Sequence, residues 1–157
     1  MSDSATCGRR CEWRRQMAHF LAALFAQPNV PQVLRNERTG LTLATTLEPA
    51  FDPPSRRRGL LGREGLDPGV AVILAPCSAI HTLFMRFPID VVFVRRDGVV
   101  TKVCPGVKPW RAAVALAAFA AIELSVGTAA GNGTQPGDRL CLDFVCQSVP
   151  DQTTVFL

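Results

Sequence analysis

Cys77–Val100 reads CSAIHTLFMRFPIDVVFVRRDGVV, and its end decides the fold. Asp97-Gly98 lies between VVFV and VVTKV. A dipeptide of this kind between β-branched runs is the strongest short-range hairpin signal, because a type I′ turn needs two residues with positive φ. The reading is therefore a pair of antiparallel strands, Val91–Val94 and Val99–Val103, joined by that turn. Side chains alternate along a strand. Ile89, Val91 and Phe93 then share one face, and Asp90, Val92 and Val94 share the other.

Asp90 is thus a carboxylate on an otherwise apolar face. A buried carboxylate is costly unless it is paired and hydrogen-bonded. Arg86 and His81 lie nearby in sequence, although Pro88 interrupts the strand pattern between them and Asp90. Two readings follow. In one, Asp90 ties down a loop by accepting hydrogen bonds from backbone N–H groups or from Arg86. In the other, His81, Arg86 and Asp90 form a small polar pocket walled by Met85 and Phe84.

Several segments here resemble a known family. They are Ile80–Val94 (IHTLFMRFPIDVVFV), the Asp97-Gly98 turn, Ile122–Gly127 (IELSVG), Gly137-Asp138 and, in part, Arg58–Arg63 (RGLLGR). In order and content they are similar to the bacterial and archaeal family called domain of unknown function 192, across roughly Val33 to Leu142. The resemblance implies a small, mainly β domain and no agreed reaction. Many members carry Trp where Phe84 stands here, and the stretch before Ile122 is unusually rich in Ala.

Length and composition agree with a globular domain. The chain has 157 residues, 48% hydrophobic and 19% charged, so a core can form without staples. The net charge of +4 is spread thinly, with four Arg against two acids in residues 1–30. Such a weak bias, with no Tyr and with Phe confined to apolar runs, argues against nucleic-acid binding. Among six Cys there is no Cys-x-x-Cys pair. Cys77 and His81 make a loose C-x3-H, but no metal and no cofactor is assigned. Buried cysteines acting as small apolar residues are the favoured reading.

Residues 1–30 read as a basic and then apolar extension, 31–149 as one β-rich domain, and 150–157 as a loose tail. Met17–Ala26 (MAHFLAALFA) is open to three readings: a leader, an amphipathic helix lying on a surface or docked on the domain, or a stretch at whose Met17 translation begins. Membrane association would run through this segment, and a cytoplasmic location is favoured over export. Strands are expected at Val30–Asn36, Leu41–Leu47, Val70–Leu74 and Arg139–Val145, and a half-buried one at Ile122–Val126 with Glu123 outward. Asp52-Pro53 is a helix start, with Asp as N-cap and Pro in the first turn, and Gly62 suits the helix end. Arg111–Ala121 reads as a helix by propensity. Gly127–Gly133 reads as a flexible loop, and Gln135–Asp138 as a type II turn.

About seven short strands with one or two short helices predict a mainly β fold, a compact antiparallel β-sandwich or barrel-like domain. The favoured function is a non-enzymatic binding or accessory module for an unknown small molecule or protein partner. Its candidate pocket is His81, Met85, Arg86 and Asp90. Arg56, Arg57 and Arg58 form a weaker anion-binding candidate. The alternatives are a hydrolase-like enzyme using Cys77, His81 and Asp90, and an exported or membrane-associated accessory protein.

Overall fold

The computed structural model describes residues 20–26 and 30–144. The start of the leader segment, Cys7, Cys11, Cys146 and the tail 150–157 lie outside the described residues. Strand β1 (Gln32–Asn36) turns at Glu37–Gly40 into β2 (Thr42–Ala44). The run Leu41–Leu47 is not one strand. Thr45 and Thr46 both donate backbone N–H to Gly69 O, at 2.8 and 3.0 Å, and the chain changes sheet there to begin β3 (Thr46–Ala50).

Strand β3 pairs in parallel with β4 (Val70–Leu74). A parallel pair needs a long crossover, and here the crossover carries helix α2 (Pro53–Arg58). Helix α1 (Ala22–Ala26) precedes β1. Next come β5 (Ala79–His81), β6 (Ile89–Val94), β7 (Val100–Val107), β8 (Ala112–Val114), β9 (Ala120–Ser125), helix α3 (Thr128–Gly131) and β10 (Leu140–Phe144).

These ten strands make three sheets, ordered β10-β1-β2, β3-β4-β9-β6-β7 and β5-β8. Among the described residues the fold is mainly β with three short helices. No barrel closes among the described residues, because the five-stranded sheet ends at β3 and β7, which do not pair with each other. That sheet is mixed, since β3 and β4 run parallel.

The five-stranded sheet is the middle layer and is covered on both faces. Val92, Val94, Ile122 and Leu124 pack against Leu34, Leu43, Leu140 and Leu142 of the three-stranded sheet. On this side Leu21 and Leu24 are also buried, so the described part of the Met17–Ala26 segment docks on the domain. No helix among the described residues is long and apolar enough to cross a membrane. The opposite face sends Ile89, Val91, Phe93 and Val72 against Leu60, Ile80 and Ala113, under the α2 crossover and the β5–β8 ribbon. The split of β6 into two faces is the one its alternation predicts.

Three expectations are corrected. The hairpin forms, but its turn is not type I′. Of its residues only Gly98 has positive φ, at 82°; its N–H reaches Arg95 O at 3.0 Å, while Arg95 N–H reaches Val99 O at 2.9 Å. This is the longer hairpin loop that closes on a left-handed glycine. A Cβ on Gly98 would meet Leu140 O at 2.5 Å, so the close approach of β10 demands glycine as well. The Ala-rich run is not a helix. It supplies β8 and the start of β9, where pairing with β5, β4 and β6 outweighs alanine's helix propensity. Gly127–Gly133 is not a plain loop, since α3 lies within it.

Candidate functional site

Asp90 and Glu123 lie on neighbouring strands, and the structure treats them differently. Strand β6 slips against β7 between Ile89 and Val91, so the Gly106 N–H is free to bond elsewhere. Asp90 Oδ1 accepts that N–H at 2.8 Å. Its Oδ2 accepts the Ala129 N–H at 2.9 Å, in the first turn of α3. Gly127, the N-cap residue of α3, has no side chain to offer, and Asp90 caps the helix in its place. Asp90 is fully buried, and both oxygens are held by the backbone.

The other three residues of the motif lie elsewhere. Arg86 is on the surface, 4.0 Å from Glu64 in an exposed ion pair. His81 is exposed at the end of β5, opposite Ala112. Met85 is buried among the apolar residues under α2 and the β5–β8 ribbon. His81, Arg86 and Asp90 therefore do not converge on one pocket. Phe84 is not a wall either: it is exposed and stacks edge-on against Trp110, centroids 4.7 Å apart. Both rings sit on backbone with positive φ, at 64° and 61°. Thr82 holds them out. Its hydroxyl donates to Lys108 O at 2.7 Å and accepts Arg111 N–H at 2.9 Å, and its carbonyl accepts Trp110 N–H at 2.9 Å.

A cavity of about 420 Å³ opens between α2 and the sheet face opposite Asp90. It does contain His81 and Met85, together with Arg56, Arg57, Arg58 and Cys77. Its floor is Glu123. This residue was expected to point outward, but β9 is the central strand and is covered on both sides. Val72 and Val91 flank Glu123 in register on β4 and β6. Its carboxyl is buried, and no donor among the described residues reaches Oε2. Burial pushes its pKa up to about 7, against a smaller opposing pull from the charge of Arg63. Arg63 is itself held by Glu48, in two bonds of 3.3 and 2.5 Å.

Local sequence builds the roof. Asp52 caps α2 by accepting the Ser55 N–H at 2.9 Å, and Pro53 starts the helix. The helix stops at Gly59, earlier than the Gly62 expected, with φ 43° and ψ −119°. A Cβ there would come 3.9 Å from Glu123 Oε2, so the glycine lies directly over the carboxyl. Arg56 donates to the carbonyls of Phe51 and Ala75, which pins α2 to the end of β4. The Arg57 and Arg58 side chains are exposed and make no hydrogen bond or ion pair with described residues. The Cys77 thiol donates to Ala79 O at 3.1 Å, and burial raises its pKa. No hydrogen bond joins Cys77, His81 and Asp90.

The larger groove, about 690 Å³ beside the hairpin turn, has no uncommitted buried group. Its Arg95 pairs with Asp97 at 2.6 Å, and Arg96 lies over the Phe119 ring at 4.2 Å. A third buried acid, Asp138, is fully paired. Arg38 holds it at 2.5 Å and Asn36 at 2.8 Å, which ties the β1–β2 turn to the Gln135–Asp138 turn.

The domain of unknown function 192 (DUF192), described as an uncharacterized ACR, matches residues 34–142 of this sequence. The chain belongs to the DUF192 family. Two solved structures share the DUF192 fold seen here, each with a TM-score of 0.61. One is a protein of unknown function from Novosphingobium aromaticivorans DSM 12444, 23% identical, covering 70% of this chain and 82% of its own. The other is a candidate transcription regulator from Sinorhizobium meliloti 1021, 24% identical, covering 71% of this chain and 91% of its own. No curated protein matches the chain. The DUF192 match spans both Asp90 and Glu123, and it includes α2 and Gly59.

Glu123 could have been noticed in the sequence. Its neighbours AAI and L make it the single charge in an apolar stretch, the signal that singled out Asp90. What hid it was the regular alternation with Ile122 and Leu124, which reads as one wet face.

Proposed function

We propose that this DUF192 domain is a non-enzymatic binding module that holds a small polar molecule in the cavity beneath α2. The observation that carries this is Glu123, a buried carboxyl with an open acceptor at the floor of a cavity, under a helix that leaves two guanidiniums free. Proteins satisfy nearly all their buried polar atoms. One left open in a concave site is a reason to expect a ligand that completes it.

The hydrolase reading has less support. A thiol whose pKa is raised and which donates to a carbonyl is a poor nucleophile. Its would-be orienter, Asp90, is held by two backbone amides.

The test is capture of compounds from a bacterial metabolite extract, read by mass spectrometry, using the full chain. Glu123→Gln and the double variant Arg57→Ala/Arg58→Ala are run beside it. The expected result is a compound retained by the unmodified protein and lost from both variants. Retention of nothing, or equal retention by all three, would remove the case for a pocket.

A further inference from the structure

The charge pattern of the α2 cavity specifies its ligand more closely. At the floor, Glu123 needs at least one hydrogen-bond donor, and when ionised it needs a counter-charge. The nearby cation serves only in part, because Arg63 is held bidentately by Glu48 and acts on Glu123 through its charge without donating a hydrogen bond to it. The roof cation gives Glu123 no hydrogen bond, because Arg56 donates to the backbone carbonyls of Phe51 and Ala75 instead. At the mouth the sign reverses. Arg57 and Arg58 are exposed and uncommitted there, with the His81 imidazole on the facing ribbon. The remaining lining includes apolar Leu60, Leu74, Ile80 and Met85.

We propose that the cavity takes a small zwitterion, an amino-carboxylate whose ammonium group meets Glu123 and whose carboxylate meets Arg57 and Arg58. This deepens the binding-module reading and rests on it. A bare amine would have to enter past two guanidiniums. A bare carboxylate would be held at the mouth but would leave the floor open, and would bring a like charge toward it. A dipolar molecule matches both ends. An ammonium supplies three donors, and hydrogen bonds to charged groups are stronger than neutral ones. Burial raises the Glu123 pKa to about 7, a cost to its ionised form that an adjacent ammonium group would offset.

The experiment titrates the isotope-labelled full chain by amide NMR with unbranched ω-amino acids, from glycine through 6-aminohexanoate. Each is compared with the alkyl carboxylate and the alkyl amine of the same length. One length is expected to bind about tenfold or more tighter than either matched half-molecule. Glu123→Gln is expected to bring that amino acid down to the affinity of its carboxylate. Arg57→Ala/Arg58→Ala is expected to bring it down to that of the amine. Chemical shifts away from the cavity report whether each variant is folded.

If carboxylates bind as tightly as amino acids and Glu123→Gln changes nothing, the zwitterion is overturned, while a pocket dependent on Arg57 and Arg58 survives. If no member of the series binds, the zwitterion is likewise overturned. The pocket itself then stands or falls on the metabolite capture, which does not depend on this ligand class.

Discussion

Asp90 on β6 and Glu123 on β9 sit on adjacent strands of one sheet and face opposite layers. Both are buried acids among aliphatic neighbours. On one face the chain brings its own donors, because a slip in β7 and the start of α3 each leave an N–H that Asp90 accepts. On the other face the chain brings an arginine-bearing helix close by, yet no donor to Glu123 Oε2. A buried charge is therefore weak evidence for a site until its partners are counted. The satisfied one is a folding device, and the unsatisfied one lines the cavity.

The largest expected effect would come from breaking the satisfied side. Asp90→Asn keeps the shape but turns an NH2 group toward one of two N–H donors. One buried amide then loses its acceptor and meets another donor. Charge-assisted bonds and unsatisfied buried groups together predict a loss of about 2–4 kcal/mol. Urea unfolding should show this as a lower midpoint with an unchanged slope. A loss under about 1 kcal/mol would mean that Asp90 holds nothing essential, and the contrast with Glu123 would collapse.

How much of this contrast was legible follows from what each signal depends on. Local signals succeeded where the cause is local. Asp97-Gly98 sets a hairpin, Asp52-Pro53 starts α2, and the run at Val70–Leu74 is a buried strand. The two faces of β6 also follow from alternation alone. Signals failed where the outcome depends on a distant partner. Glu123 alternates like a solvent-facing residue, and only the β3–α2–β4 crossover, which roofs that face, buries it. Ala112–Val114 forms a strand only because β5 lies beside it. The sequence marked His81 and Met85 as site residues, and the cavity contains both. It placed Asp90 with them, but Asp90 shares the β6 face of Val92 and Val94 and so points into the layer opposite the cavity.

A second, smaller effect concerns the unsatisfied side and depends on pH. The Glu123 pKa is raised from 4.5 to about 7 on folding. Between these values the unfolded chain has lost a proton that the folded chain still holds. Stability from this group is therefore full below pH 4.5, falls as pH rises, and is gone above 7. The span corresponds to at most about 3 kcal/mol. Asp138 works in the opposite direction. Arg38 above all holds its pKa well below the ordinary carboxylate range, so its contribution fades only on acidification. Glu123→Gln should flatten the neutral limb and leave the acid limb unchanged. Unfolding free energies at pH 5 and pH 8 check this: the variant should gain on the unmodified protein at pH 8 relative to pH 5. Parallel profiles would show that Glu123 does not change its proton affinity on folding, and the two acids would cease to differ.

The smallest effect sharpens the comparison from outside. Arg86 is the cation closest in sequence to Asp90, and a pairing between them would make Asp90 part of a polar site. The structure gives Arg86 a different neighbour, Glu64 at 4.0 Å, with both side chains largely in solvent. Exposed pairs at that distance contribute little, since water screens them and ordering two long side chains costs entropy. Arg86→Ala should therefore leave the urea midpoint unchanged within error. The stronger measurement is the double-mutant cycle with Asp90→Asn. If backbone amides alone hold Asp90, the two substitutions should add within about 0.5 kcal/mol, as they do at sites sharing no partner. A coupling clearly above that value would mean that the guanidinium reaches the carboxylate in solution. Asp90 would then be a charge paired across two elements, and the division between a closed face and an open one would have to be redrawn.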